Sequence, residues 1–144
     1  TFDLSECLPA ICEPYQLIAK AKGLDFSFSI QGKCPVHTSK KGLEKILSNL
    51  LSNAVSYTKP GCKITVLLTA RQIKIENECT PIPPDKLAHV FEPFYRPDFA
   101  RDRKDGGNGL GLYIVDTLSK ALGLPYQFEA TKNPPGMCFI LYLP

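Results

Sequence analysis

The stretch Asp105-Gly106-Gly107-Asn108-Gly109-Leu110-Gly111-Leu112 places four glycines within six positions and runs directly into the apolar-periodic segment 113–118. Glycine lets backbone N–H groups approach a ligand closely, and the amino end of a helix carries a partial positive charge, so this arrangement favours phosphate oxygens. Gly106 and Gly111 have the P-loop separation, but no Lys-Ser/Thr pair follows them, and the spacing fits neither the dinucleotide fingerprint nor the protein-kinase loop. The stretch alone is compatible with a nucleotide-binding loop or with a glycine hinge before a buried helix.

The periodicity of the remaining sequence predicts an α+β domain. Apolar residues recurring at three and four positions predict helices at 8–22, 42–58, 85–90 and from the glycine stretch to about residue 122. Alternating or β-rich runs predict strands at 25–31, 63–69, 72–77, 126–130 and 137–143, with a polar link at 32–41. We therefore expect one domain over 1–144, a two-layer α+β sandwich in which a mixed sheet of about five strands is covered on one face by three helices.

Charge, hydropathy and cysteine spacing exclude several classes of protein. The 17 basic and 14 acidic residues give a net charge of +3, which is too balanced for an electrostatic nucleic-acid binder. No apolar run is long enough to cross a membrane. The six cysteines contain no CxxC pair, which favours free buried thiols over disulfides or a Cys/His metal site. Because the chain begins with Thr1 rather than Met, we expect a domain excised from a longer protein.

The predicted second helix carries polar residues at a regular spacing. Lys45, Asn49 and Asn53 recur every fourth residue, so they line one arc beside the apolar arc of the helix. Asparagine is a poor helix former, and two in register need a reason. An amide oxygen is a hard ligand that suits Mg²⁺, which prefers few protein ligands plus phosphates and waters. The alternative is an amphipathic helix with incidental polar residues on its rim.

Four stretches, in order along nearly the whole chain, resemble the sequence boxes of bacterial sensor histidine kinases. The stretch that resembles the N box is Leu47-Ser48-Asn49-Leu50-Leu51-Ser52-Asn53-Ala54-Val55-Ser56-Tyr57-Thr58, and the one that resembles the G1 box is Ile75-Glu76-Asn77-Glu78-Cys79-Thr80-Pro81-Ile82-Pro83. The stretch that resembles the F box is Phe91-Glu92-Pro93-Phe94-Tyr95-Arg96, and the one that resembles the G2 box is Gly107-Asn108-Gly109-Leu110-Gly111-Leu112. The resemblance implies the Bergerat ATP-binding fold shared with gyrase, Hsp90 and MutL, with ATP and Mg²⁺ as cofactors. The subgroup it suggests is the vancomycin-resistance-type or a related Gram-positive sensor.

The resemblance also implies roles for individual residues. It places Asn53 as the Mg²⁺ ligand and Asn49 one turn earlier, where it helps to order the metal and phosphates, so these two form the catalytic pair. Tyr57 would pack on the nucleoside, and Asn77 would accept a hydrogen bond from the adenine amino group. The further positions that it assigns to cofactor binding are Ile82, Arg96, Gly107, Gly109, Leu110, Gly111 and Leu112.

The chain departs from the family pattern at three positions in the G1 and N boxes. The G1 box usually has Asp followed two residues later by Gly, where this chain has Asn77 and Cys79. The amide oxygen of Asn77 can still accept the adenine hydrogen bond, though without charge assistance. Ser56 replaces the Lys usual in the N box. The lost phosphate contact is then expected from Lys45 or from one of the basic residues Arg96, Arg101, Arg103 and Lys104.

Neither histidine resembles the family's phosphoacceptor. His37 and His89 lie outside its pattern and are expected to be ordinary surface residues. The resemblance therefore implies the catalytic half of a protein-histidine kinase, the cytoplasmic domain of a bacterial membrane sensor, with a histidine-bearing dimerisation domain and a response regulator as partners. The alternative is a degenerate nucleotide-binding module that acts by partner contact without phosphotransfer. A gyrase- or Hsp90-like ATPase fits less well, because Asn49 stands where those hydrolases have a water-activating Glu.

Overall fold

The structure is a computed structural model that describes residues 1–95 and 110–144. Among these residues, helices separate one short initial strand and three successive pairs of strands. In order they are β1 (Phe2–Asp3), α1 (Leu4–Ala21), β2 (Asp25–Ile30), β3 (Pro35–Val36), α2 (Lys40–Tyr57), β4 (Lys63–Leu68), β5 (Gln72–Glu78), α3 (Pro84–Leu87), α4 (Gly111–Leu122), β6 (Tyr126–Lys132) and β7 (Pro135–Tyr142).

The main sheet has five strands in the order β2-β4-β5-β7-β6. β2 is parallel to β4, whereas the pairs β4–β5, β5–β7 and β6–β7 are antiparallel. Parallel neighbours need a long crossover, and the connection from β2 to β4 contains α2. The topology therefore fixes α2 on the sheet, and the prediction of a mixed five-stranded sheet is confirmed.

Helices cover one face of this sheet. In β4, Ile64, Val66 and Leu68 are buried on the helix side, whereas Lys63 and Thr65 are exposed on the other. α1 packs on β2 and α2, α2 also packs on β5, and α4 packs on α2. The core between the layers includes Leu8, Leu43, Ile46, Leu47, Leu50 and Val115. The predicted two-layer α+β sandwich is therefore the observed architecture.

Several predicted boundaries are wrong. α1 begins at Leu4 rather than at residue 8, and it contains Pro9 and Pro14, both on its exposed side, where water can solvate the carbonyls that lose a helical partner. The short helix α3 ends at Leu87 rather than at residue 90. β6 and β7 extend further towards each other than predicted and leave a turn of two residues, Asn133-Pro134.

A second, two-stranded sheet was not predicted. β1 pairs with β3 through Phe2↔Val36 and Asp3↔Pro35, inside the stretch expected to be a polar link. Strands of two residues are too short to show a period-2 pattern, so the sequence carries no signal for them. The pairing ties the start of the chain to the segment that leads into α2.

The six cysteines are free thiols, as predicted, and four of them are buried. Burial raises the pKa of the Cys12 thiol to about 12. It also raises that of Cys138 to about 11, with a further contribution from the Glu76 carboxylate. These thiols stay protonated at neutral pH and behave as small apolar groups. No helix within 1–95 and 110–144 combines the length and apolarity needed to cross a membrane.

Asp3 joins β1, α1 and β3 and gives the first testable prediction. Its Oδ1 accepts hydrogen bonds from Ser5 Oγ at 2.7 Å, Cys34 N at 2.9 Å and Ser5 N at 3.0 Å. The Ser5 hydroxyl and the Cys34 N–H lower the pKa of Asp3 below its ordinary 3.8. Because the folded pKa is the lower one, this stabilisation is present above pH 3.8 and is lost as pH falls through the folded pKa.

Asp3→Asn is therefore expected to lower the free energy of unfolding at pH 7. At about pH 3 the difference in unfolding free energy between the variant and the parent chain should be smaller than at pH 7. Urea unfolding at the two pH values measures both quantities. Asp25→Asn, at the exposed start of β2, is the matched control and should change little. A deficit of equal size at both pH values would show that the Asp3 carboxylate does not contribute through its charge.

Candidate functional site

α2 is fixed at both ends and along one side. Its first turn is capped by Ser39, whose Oγ accepts a hydrogen bond from Gly42 N at 3.0 Å, and at its last turn the Thr58 hydroxyl donates to Ala54 O at 2.6 Å. Its buried side consists of Leu43, Ile46, Leu47, Leu50, Leu51, Ala54 and Val55. Each asparagine costs the helix up to about 0.7 kcal/mol relative to alanine. Burying one leucine side chain stabilises the fold by roughly 1.5–3 kcal/mol. Packing of the buried side therefore outweighs the helix-propensity cost of the two asparagines.

Asn49 and Asn53 lie half-buried beside that apolar side, and their side-chain oxygens meet the start of α4. A Cβ placed on Gly111, the first residue of α4, would lie 3.5 Å from Asn49 Oδ1 and 3.6 Å from Asn53 Oδ1. Asn49 Nδ2 donates to the carbonyl of Lys45 at 2.8 Å, which fixes the orientation of the amide. The two asparagines predicted from their spacing are therefore brought together with one of the predicted glycines.

The start of α4 supplies the second half of this cluster. Leu110 is the N-cap residue, its side chain makes no capping hydrogen bond, and Ile114 N donates to Leu110 O at 2.9 Å. Leu112 packs against the core. α4 ends at Leu122 and is followed by Gly123 with φ +70°, as the sequence predicts. The predicted Arg96, Gly107 and Gly109, with the basic residues 101, 103 and 104, lie outside the described residues.

The backbone N–H groups of the first turn carry the positive end of the α4 dipole, and beside them are two neutral amide oxygens. The N–H groups can bind an anion, and the amide oxygens can bind a hard cation. A phosphate with its divalent cation meets both requirements. In the part of the chain that the structure describes, no group of three or more His, Cys, Asp or Glu side chains is arranged to hold a metal.

Asn77 belongs to a second cluster, near the end of β5. It follows Ile73 and Ile75 on the helix-covered face and is half-buried. Asn77 pairs with Ile64 on one side and with Met137 on the other. The β7 backbone lies against it, since a Cβ on Gly136 would overlap the carbonyl oxygen of Asn77.

Met137 is a residue of this cluster that sequence analysis missed. It is 3% exposed, and its Sδ accepts a hydrogen bond from Ile82 N at 3.4 Å. It thereby links the predicted residues Asn77 and Ile82. A polarisable thioether packs well against an aromatic ring. The signal for Met137 is the pairing register of β5 with β7, which no local motif contains.

Cys79 and Tyr57 complete the predicted surroundings of these clusters. The backbone N–H of Cys79 donates to Pro135 O at 3.3 Å. Cys79 is 7% exposed, so a buried side chain occupies the position at which the resembled G1 box usually has glycine. Tyr57 is the last residue of α2 and is half-buried. Lys45 is exposed on the same helix. α2 packs on β5, so the helix that bears the two asparagines packs on the strand that contains Asn77.

The two histidines lie at the surface and contact other side chains. His37 Nδ1 is 2.9 Å from Thr1 Oγ1. His89 Nδ1 is 2.6 Å from Glu92 Oε2, and its ring lies 5.8 Å from the Tyr95 ring. Neither histidine belongs to the clusters around Gly111 and Asn77.

A cavity of about 440 Å³ lies on the face of the sheet that the helices leave open, and Asn77 is among its lining residues. It is lined mainly by β4, β5 and the turn between β6 and β7, and its charged residues include both Lys63 and Lys132 and both Glu76 and Glu78. Such a mixed lining selects neither anions nor cations. The two clusters on the helix-covered face therefore remain the candidate site.

Relatives of known type match almost the full chain. CusS, a sensor histidine kinase of Escherichia coli O157:H7, is 34% identical over 99% of this chain and 30% of its own length. VanSB, a sensor protein of Enterococcus faecalis, is 32% identical over 99% of this chain and 32% of its own length. The chain thus spans about a third of these relatives. The Gram-positive subgroup suggested by the motifs is represented by VanSB, and CusS matches equally well.

Solved structures share the fold. The mycobacterial sensor histidine kinase MprB has a TM-score of 0.80 at 25% identity, covering 99% of this chain and 96% of that one. The catalytic domain of the histidine kinase ThkA, in a nucleotide-free form, has a TM-score of 0.83 at 23% identity, covering 99% and 93%. The sequence model of the histidine kinase-, DNA gyrase B- and HSP90-like ATPases matches residues 38–144. The chain therefore belongs to this ATPase family and, within it, is homologous to the ATP-binding catalytic domains of sensor histidine kinases.

Proposed function

We propose that this chain binds Mg-ATP and presents its γ-phosphate to a histidine on a separate dimerisation domain of the same parent protein. The family supplies ATP as the ligand. The observation that carries the proposal beyond the family is the approach of the Asn49 and Asn53 side-chain oxygens to the first residue of α4.

The metal would be held by Asn53, with Asn49 ordering the cation and the phosphates. Mg²⁺ usually keeps several waters and takes only one or two protein ligands when substrate phosphates supply the rest. Two amide oxygens that face the same point fit this requirement. Bound there, the cation would neutralise charge that develops on the phosphate oxygens during transfer.

The phosphates would lie against the amino end of α4. Gly111 has no side chain between the helix and the two asparagines, so phosphate oxygens can approach the backbone N–H groups. Gly107 and Gly109 would extend this cradle, and Arg96 would add a positive charge. Leu110 and Leu112 position the first turn of the helix on which the cradle depends.

The adenine would bind at the end of β5, and Tyr57 would pack on the nucleoside. The amide oxygen of Asn77 would accept a hydrogen bond from the exocyclic amino group, and Ile82 and Met137 would provide apolar surface. Asn77 is neutral, so this hydrogen bond lacks the charge assistance that an aspartate gives. Base recognition in this chain therefore depends more on packing around the ring.

Transfer itself would be catalysed by positioning and charge neutralisation, since phosphoryl transfer asks little covalent chemistry of the protein. The nucleophile would be the imidazole of the partner domain, and a response regulator would receive the phosphoryl group next. We place this domain on the cytoplasmic side of a bacterial membrane sensor, because its relatives are sensor kinases and ATP is its ligand.

The metal assignment is tested by Asn53→Ala. Alanine is the better helix former, so the fold should persist, while Mg-ATP binding should weaken on the order of 10-fold or more and lose its dependence on Mg²⁺. Calorimetry with Mg²⁺ and with EDTA measures both effects. Ser52→Ala, on the exposed side of α2, is the control. Magnesium-dependent binding that survives in Asn53→Ala would remove this residue from the site.

The role of Gly111 is tested by Gly111→Ala. The new methyl group would meet the two asparagine oxygens at 3.5 and 3.6 Å, which is ordinary van der Waals contact, so the melting temperature should not fall. It would nevertheless fill the space where phosphate approaches. We expect Mg-ATP to bind more weakly and adenosine to bind as before, measured by calorimetry. Equal effects on the two ligands would instead identify the glycine stretch as a hinge.

A further inference from the structure

Tyr126, the first residue of β6, lies at the centre of an aromatic cluster on the helix-covered face. Its ring stacks on Phe139 of β7, with centroids 5.1 Å apart and planes at 15°. It also contacts Phe91, at 5.1 Å and 51°. Phe128 closes the cluster, 5.7 Å from Phe139 and 5.9 Å from Phe91. Aromatic pairs in these geometries contribute beyond the area that they bury, so the ring of Tyr126 is held firmly.

The hydroxyl of Tyr126 reaches α4. Its Oη donates a hydrogen bond to Asp116 Oδ1 at 2.6 Å, and the other carboxylate oxygen lies 3.2 Å from Lys120 Nζ. The side chain of Asp116 is only 18% exposed. Burial and the neighbouring carboxylate raise the pKa of Tyr126 well above its ordinary value, so the hydroxyl remains a donor throughout the neutral range. The contact is a short, partly buried, charge-assisted hydrogen bond.

One side chain therefore contacts the described chain on both sides of residues 96–109. Phe91 belongs to the aromatic stretch 91–95 that precedes them, and Asp116 belongs to the helix that follows them. Within the stretch 91–95, Phe91 packs on the core, whereas Phe94 is 71% exposed. α4 packs mainly on α2, and the hydrogen bond to Tyr126 joins it directly to the sheet.

We propose that Tyr126 is a positioning residue that sets where α4 begins relative to the sheet and so holds Gly111 opposite Asn49 and Asn53. The inference rests on the proposed nucleotide site. Asp116 lies five residues after Gly111, which at about 1.5 Å per residue is roughly 7.5 Å along a rigid helix. A displacement at Asp116 is therefore transmitted to Gly111. It would change how Gly111 faces the side-chain oxygens of Asn49 and Asn53, which lie 3.5 and 3.6 Å from the position that a Cβ on Gly111 would take.

A positioning role should affect the binding of two ligands differently, whereas a purely structural role should affect both alike. The phosphates of ATP would lie at Gly111, on the helix that Tyr126 positions. Adenosine would be bound at Asn77, on β5, which is held by its own pairing with β4 and β7. Loss of the hydroxyl should therefore weaken ATP and leave adenosine unchanged. A general loss of stability would weaken both.

The experiment measures Mg-ATP and adenosine binding to the 144-residue chain by calorimetry, with the melting temperature of each variant. Tyr126→Phe keeps the ring and removes the hydrogen bond, and it should weaken Mg-ATP about 5- to 10-fold. Asp116→Ala removes the same bond from the other side and should reproduce the loss, without addition in the double variant. Asp116→Asn retains an acceptor oxygen and should recover most of the binding.

Tyr142→Phe is the matched control. Tyr142 Oη donates to Gln127 Oε1 at 2.9 Å on the open face of the same sheet, so this variant also loses a tyrosine hydrogen bond, here an exposed and neutral one, that does not involve α4. It should bind both ligands as the parent chain does. The positioning role alone would be overturned if the parent chain binds Mg-ATP and the variants Tyr126→Phe and Asp116→Ala bind it equally well. It would also be overturned if these variants lose affinity for Mg-ATP and adenosine to the same extent. A parent chain that does not bind Mg-ATP would overturn the proposed function and this inference with it.

Discussion

The packing of α4 against α2 is the contact on which the rest of the site depends. It brings two amide oxygens of one helix to the first residue of another, where backbone N–H groups carry the positive end of the helix dipole. Neither helix forms the site alone. α2 supplies the two amide oxygens, and α4 supplies the positive amino end of a helix. The crossover from β2 to β4 fixes α2 on the sheet, and the buried leucines of α2 hold it there with several kcal/mol in total.

The choice of amides over carboxylates has a chemical consequence. Two carboxylates beside a triphosphate would repel it, whereas two amide oxygens can bind the cation without adding negative charge. Such a site would hold a metal mainly through the phosphates of a bound nucleotide, so we expect cation and nucleotide to bind together. Under the proposed function the adenine would likewise meet a neutral acceptor, the amide of Asn77.

Local patterns in the sequence predicted the elements that show strong periodicity, and with them α2, α4 and the five strands of the main sheet. The four-residue spacing of Asn49 and Asn53 was enough to place both on one side of a helix, which the structure confirms. The pairing of β1 with β3 escaped because two-residue strands carry no periodicity. The start of α1 was wrong because the apolar repeat was counted only from Leu8, whereas Asp3 caps the helix and Leu4 is already buried in the core. Met137 and the bond between Tyr126 and Asp116 depend on strand register and on contacts across layers, which no single stretch encodes.

The central claim is that this chain presents the γ-phosphate of bound ATP to an acceptor histidine on another domain. Transfer of labelled phosphate from ATP tests this claim most directly. The 144-residue chain is incubated with γ-labelled ATP and Mg²⁺, alone and with the histidine-bearing hairpin of its parent protein. The account predicts acid-labile, base-stable label on the hairpin, none on the chain alone, and none on the hairpin when Asn53→Ala replaces the parent chain. It would be contradicted by an unlabelled hairpin in the presence of bound ATP, or by label on the isolated chain that disappears in His37→Ala or His89→Ala.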